Sequence, residues 1–181
     1  LEKLLAEIRQ CRLCEPHLPL GANPIIQAHE KARILIIGQA PGTKVHTTAI
    51  PWKDASGDRL RSWLQIDKDV FYDATKIAIM PMGLCYPGKG RSGDLPPRKE
   101  CAPQWHQQVL DHLPNIKTTL LIGQYSQHHY LKQKPKSLTE TVQAWQQWAP
   151  QCIPLPHPSP RNTLWLKRNP WFEQQVVPYI R

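Results

Sequence analysis

Four short, branched aliphatic runs set the limits on what this chain can become. They are Arg33-Ile34-Leu35-Ile36-Ile37-Gly38, Lys76-Ile77-Ala78-Ile79-Met80, Thr119-Leu120-Leu121-Ile122-Gly123 and, more weakly, Cys152-Ile153-Pro154-Leu155. Apolar runs this short, without polar alternation, suit strands buried on both faces, as in a parallel sheet. Helix signals fill the intervals. Leu1, Leu4, Leu5 and Ile8 keep the i, i+3, i+4, i+7 spacing of an amphipathic helix. Further helices are expected after Ser56-Gly57, over Glu100 to His112, from Ser137, where Ser137-Leu138-Thr139-Glu140 spells a capping box, and from Asn169-Pro170, with Asn as N-cap. Strand and helix alternate. The expected architecture is therefore a single α/β domain over residues 1–181, three layers (α/β/α) around a short parallel sheet of about four strands.

Size and composition agree with this. A chain of 181 residues builds one domain with a real core and not comfortably two. Seven Trp, with 40% hydrophobic residues, give too much buryable surface for a disordered chain. The longest uninterrupted aliphatic run, Ile34 to Ile37, falls far short of the roughly 20 residues of a membrane span. The first ten residues carry no signal-peptide pattern, so a cytoplasmic monomer without a membrane partner is expected. Lys and Arg outnumber Asp and Glu by 23 to 14, a net charge of +9. Such an excess points to a polyanionic partner, nucleic acid ahead of an anionic membrane surface, with a solvated basic surface as the plain alternative.

In a parallel α/β sheet, ligands bind outside the carboxyl ends of the strands. That directs attention to the stretches beginning at Gln39, Pro81, Gln124 and His157. The 19 prolines, about twice the usual share, gather at these exits, among them Pro41, Pro51, Pro81, Pro96, Pro97 and Pro158. Proline fixes φ and lowers the entropy lost when a loop holds side chains in place. One stretch is a decoy. Gly88-Lys89-Gly90-Arg91-Ser92-Gly93 matches the dinucleotide fingerprint, but Asp94-Leu95-Pro96-Pro97 follows, so no helix can open there to meet a pyrophosphate.

Four of the five cysteines form a pattern: Cys11-x2-Cys14, then Cys85 and Cys101. A CxxC turn with two further thiols makes a four-sulfur site suited to zinc or an iron-sulfur cluster, and spacing alone does not choose between them. Cys152 opens an apolar strand and reads as a buried, unligated thiol.

Gly38-Gln39-Ala40-Pro41-Gly42 leaves the first aliphatic run and His157-Pro158-Ser159-Pro160-Arg161-Asn162 leaves the last. Together with the four cysteines, in this order along nearly the whole chain, these segments resemble the uracil-DNA glycosylase superfamily. The cysteine layout is most similar to families with a [4Fe-4S] cluster, and the His-Pro-Ser-Pro-Arg-Asn segment to the single-strand-selective glycosylases. The resemblance implies a DNA partner containing a damaged base, a [4Fe-4S] cluster on Cys11, Cys14, Cys85 and Cys101 with zinc as the lesser alternative, and hydrolysis that leaves an abasic site. A glycosylase must extrude its nucleotide into a pocket and cleave through an oxocarbenium-like transition state, with negative charge growing on the departing base. By resemblance, His157 donates to that base, while Gly38, Gln39, Ala40, Pro41 and Gly42 hold water and the sugar. Trp52 stacks on the base, its rival reading being a core Trp. Ser159 contacts substrate, Arg161 enters the vacated stack, and Asn162 braces its loop or touches phosphate. Lys89 and Arg91 face DNA.

Two departures from the family pattern stand out. An acid is expected in or just after the first motif, yet Gln39 stands in it and Val45-His46 follows. Gln orients water but cannot take its proton. Histidine titrates near neutrality, which makes His46 the candidate base, with Asp54 and Asp58 as nearby carboxylates. Pro81 stands where an edge-reading Asn is expected, four residues before Cys85. The loop Tyr86 to Glu100 holds no His, which argues against the relatives that trap DNA covalently. A DNA glycosylase is the leading reading. A catalytically silent DNA-binding module that retains the fold and cluster is the alternative.

Overall fold

The computed structural model describes residues 1–181. Helix α1 (Glu2–Arg9) buries Leu4, Leu5 and Ile8, the stripe its spacing predicts; each such side chain contributes about 1.5–3 kcal/mol. After a 3-10 turn at Glu15–His17 come β1 (Ile34–Ile37), α2 (Thr43–Thr48), α3 (Ala55–Leu64), α4 (Lys68–Phe71) and β2 (Ile77–Ile79). A small hairpin, β3 (Lys89–Gly90) and β4 (Gly93–Asp94), precedes α5 (Cys101–Asp111). The chain then runs through β5 (Thr118–Ile122), α6 (Gln124–Tyr130), α7 (Leu138–Gln143), β6 (Cys152–Leu155) and α8 (Thr163–Arg168), and ends in a π-turn at Phe172–Val176 that passes into α9 (Val177–Ile180).

The main sheet has the order β2-β1-β5-β6 with every pair parallel. Ile34 registers against Ile77 on one side and Thr118 on the other, and Leu120 against Ile153. Side chains alternate between two cores. Ile36, Ile79 and Leu120 join Leu60, Trp63, Phe71 and Phe172 on one face. Leu35, Ile37, Ala78 and Leu121 join α1 and Val109 of α5 on the other. The sheet is thus the middle of three layers. From β1 the chain steps to β2 on one flank, then returns to place β5 on the other. The carboxyl ends of β1 and β5 part at this switch point, where a crevice opens.

Both outer strands lack free outward amides. On β2, Ile79 exchanges N–H···O bonds with Gln27 (2.7 and 2.9 Å), and the Ile77 amide donates to Asp73 O at 3.0 Å. On β6, the Cys152 amide donates to Trp148 O at 2.9 Å, and Pro154 has no amide hydrogen.

The capping box at Ser137 and Glu140 is present in both directions. The helix expected after Ser56-Gly57 starts earlier, because Asp54 Oδ1 accepts from the Gly57 amide at 2.9 Å and makes Asp54 the cap. Asn169 does not cap the last helix. Its amide donates to Trp165 O and its oxygen accepts from Trp171 Nε1, so the helical path resumes with the π-turn instead.

Candidate active site

The first motif leaves β1 and is tied at once to the exit of β2: Met82 and Gly83 amides donate to Gly38 O and Gln39 O at 3.0 and 2.9 Å. Two glycines then make room for Trp52. A Cβ on Gly38 would stand 2.8 Å from Trp52 Cζ2, and one on Gly57 only 1.8 Å from Trp52 O. Trp52 has a φ of +57°, in the left-handed region, a conformation costing about 1–3 kcal/mol that persists only where the surroundings hold it. Here Arg61 Nη1 donates to Trp52 O at 3.3 Å and Tyr72 Oη to Pro51 O at 3.0 Å. The ring both packs on the core and lines the cavity.

The last motif leaves β6. The His157 ring lies 5.6 Å from Trp52, centroid to centroid, tilted by 32°. Burial pushes the His157 pKa down and the charge of Asp54 only partly opposes it, so the imidazole is neutral at pH 7 with one N–H to give. Its loop is braced throughout. Asn162 Nδ2 donates to His157 O at 2.8 Å, the Arg161 amide to Ser159 Oγ at 3.2 Å, and Arg59 Nη1 to Ser159 O at 3.0 Å. Arg161 Nη1 crosses to the hairpin and donates to Ser92 O at 2.9 Å.

These segments enclose a cavity of about 450 Å³ at the switch point. Gly38, Gln39, Ala40, Pro41 and Gly42 line it, with Trp52, Lys89, His157, Ser159, Arg161 and Asn162. Arg91 stands outside, exposed at the hairpin turn. His46, the candidate base, does not line the cavity either. On α2 it is Val45 that faces the cavity, while the His46 ring lies 6.3 Å from Tyr86 with Nδ1 buried and unpartnered. Of the alternative carboxylates, Asp58 is paired with Arg61 at 2.7 Å and does not line the cavity, whereas Asp54 does.

Sequence patterns alone do not reveal the hairpin's own contribution: Ser92, Gly93, Asp94 and Leu95 line the cavity beside Lys89. An acid in a glycine-rich loop between two of the patterned cysteines is the one signal that could have found it. Pro81 also lines the cavity. Burial lowers the His106 pKa to about 4, so the ring is neutral; its Nε2–H donates to Pro81 O at 3.0 Å while Nδ1 accepts from Tyr130 Oη, the tautomer both partners require. With the Met82 and Gly83 amides already used, Ile79 and Pro81 at the end of β2, together with Ile25 from the segment before β1, give the cavity an apolar wall.

All five cysteines are free thiols. Cys11, Cys14, Cys85 and Cys101 lie within electrostatic reach of one another, joining the ends of α1 and β2 to the start of α5. Burial, then the neighbouring thiols, push Cys85 up to about 11 and Cys101 up to about 12. The Leu84 amide donates to Cys101 Sγ at 3.3 Å. No three His, Cys, Asp or Glu side chains stand close enough to share a single ion. Cys152 is apart, beside Tyr130. Arg98 is engaged by Glu100 and Cys14, which leaves Lys89, Arg91 and Lys99 as the exposed cations of this loop.

No helix is long and apolar enough to cross a membrane. The family model of the uracil DNA glycosylase superfamily matches residues 26–181. That span contains the whole sheet, both strand-exit motifs and the hairpin between them, and leaves only Cys11 and Cys14 of the patterned cysteines before it. By its three-layer fold, by the cavity at the switch point and by this match, the chain belongs to the uracil DNA glycosylase superfamily.

Proposed function

We propose that the protein is a DNA glycosylase that hydrolyses the N-glycosidic bond of uracil or a related deaminated base, releasing the base and leaving an abasic site for base-excision repair. One observation carries this reading: Trp52 and His157 face a single cavity from the exits of the first and last strands. A base turned out of the helix stacks on Trp52, an interaction worth about 1–3 kcal/mol. Neutral His157 donates to the base as the C1′–N bond breaks and its electron pair moves onto the ring system, a hydrogen bond that strengthens as charge develops. Gln39, whose carboxamide makes no hydrogen bond within the chain, orients water. Arg161 exchanges Ser92 O for the space the base has left. Arg91 and Lys99 meet phosphates.

The cysteine layout, Cys11-x2-Cys14 with Cys85 and Cys101, supports reading these four thiols as the ligands of a [4Fe-4S] cluster, with zinc as the lesser alternative. When bound, the cluster supplies structural anchoring. The four thiolates then tie α1, the β2 exit and α5 together, and with them the basic loop.

Release of labelled uracil, hypoxanthine or xanthine from single- and double-stranded oligonucleotides tests the function. His157→Ala is expected to slow release by about 10²–10³-fold, the cost of losing one such donor. No release from any of these lesions refutes it. The apolar wall at Pro81 favours the second reading, a silent DNA-binding module. That reading requires salt-dependent DNA binding without base release and indifferent to His157→Ala.

A further inference from the structure

Hydrolysis also needs a group that takes the proton of the water; the Gln39 carboxamide that orients the water cannot, and His46 does not line the cavity. Two carboxylates line the cavity. Asp54 commits Oδ1 to capping α3. The Asp94 carboxylate makes no hydrogen bond and no ion pair within 4.0 Å, and the backbone that carries it is fixed by the hairpin: Lys89 registers with Asp94, Gly90 with Gly93, and the Leu95 amide donates to Gly88 O at 2.8 Å. Asp94 Oδ2 lies 3.7 Å from where a Cβ on Gly42 would stand. The carboxylate is therefore over the Gly42 end of the first motif, whereas Trp52, in contact with Gly38, and His157 beside it occupy the other end. The charged and titratable groups facing Asp94 are Lys89 on the paired strand, Arg161 from the last motif and Tyr86, with Asp54 and His157 in the same cavity.

We propose that Asp94 is the carboxylate that positions the attacking water, an inference that rests on the glycosylase reading above. As the C1′–N bond breaks and its electron pair leaves with the base, the water oxygen bonds to C1′ from the opposite side and its proton passes to Asp94 Oδ2. The negative charge also favours the cationic sugar of the transition state. The first motif lacks an acid in sequence, and the fold supplies one from about fifty residues further on.

The test is single-turnover base release by wild type, Asp94→Asn and Asp94→Glu across about pH 5 to 9, with affinity for abasic-product DNA and thermal melting as controls. The carboxylate must be ionised, so the wild-type rate rises with pH through an acid limb. Asp94→Asn is expected to be slower by about 10²-fold or more, to lose that limb, and to keep product affinity and melting temperature. Asp94→Glu should recover part of the rate. A rate within twofold of wild type, or a slow variant with the acid limb unchanged, overturns the role of Asp94 and leaves the glycosylase reading standing. Absence of base release by wild type from every lesion overturns both.

Discussion

Gly38→Ala adds one methyl group under the ring on which the base is proposed to stack. The new Cβ would stand 2.8 Å from Trp52 Cζ2, about 0.6 Å inside ordinary contact, while Cη2 at 3.4 Å is already at its limit. Gly38 has no positive φ, so alanine fits the backbone and the whole effect falls on Trp52. The ring cannot retreat freely, because its carbonyl is held by Arg61 and its backbone lies against Gly57. Overpacking of this kind costs about 1–3 kcal/mol. If the displaced ring no longer stacks on the base, at a cost of about 1–3 kcal/mol, base release in single-turnover assays slows by about 5- to 150-fold. Trp52→Phe removes the two atoms that collide. The double variant Gly38→Ala with Trp52→Phe is therefore expected to be no slower than Trp52→Phe alone, a non-additivity that marks direct contact. Additive losses, or an unchanged rate in Gly38→Ala with the indole fluorescence altered, would refute the claim that Trp52 acts through its position over Gly38.

Other outcomes follow from the charges and thiols. His106 is held neutral with a folded pKa of about 4, so the unfolded chain takes up a proton below about pH 6.5 while the folded chain resists. Its contribution is complete above about pH 6.5 and is lost as pH falls toward 4, by about 3 kcal/mol in all; urea titrations should show a flatter acid limb for His106→Gln. Replacing Arg91 and Lys99 with Gln should weaken DNA binding and reduce the slope of log K against log salt by about 0.9 for each duplex phosphate left without its cation. Arg98→Gln should leave that slope unchanged, since Glu100 and Cys14 engage its guanidinium. Protein prepared anaerobically should carry visible absorption and about four iron per chain, both abolished by Cys85→Ala. Stoichiometric zinc and no colour would refute the cluster.

The sheet was legible because its strands carry unbroken apolar runs, so burial on both faces is written directly in Ile34–Ile37 and Leu120–Ile122. The two exit motifs were legible because a strand must end where they begin. Other features depend on pairings that sequence does not display. Helix α6 escaped notice because its buried face carries Ser126 and Gln127, and Gln127 Nε2 spends its hydrogens on Leu121 O and Leu155 O inside the core. Val45 and His46 are neighbours in sequence but point about 100° apart on a helix, and a six-residue helix with one buried side chain gave no periodicity to tell them apart. Asp94 reads in sequence as part of the Asp94-Leu95-Pro96-Pro97 stretch that keeps a helix from opening after a false nucleotide fingerprint. Only the hairpin register shows where its carboxylate goes.

The sealed strands at both margins of the sheet have a consequence for how this molecule meets others. A sheet margin with free amides invites another chain to extend it, in aggregation as well as in recognition. Here Gln27 and Asp73 occupy one margin, and Trp148 together with the imino nitrogen of Pro154 closes the other. Strand addition is therefore barred on both sides by the chain's own local bonding, independent of any ligand. A protein expected to search long stretches of DNA can accordingly become crowded along the polymer without its copies knitting together through their backbones.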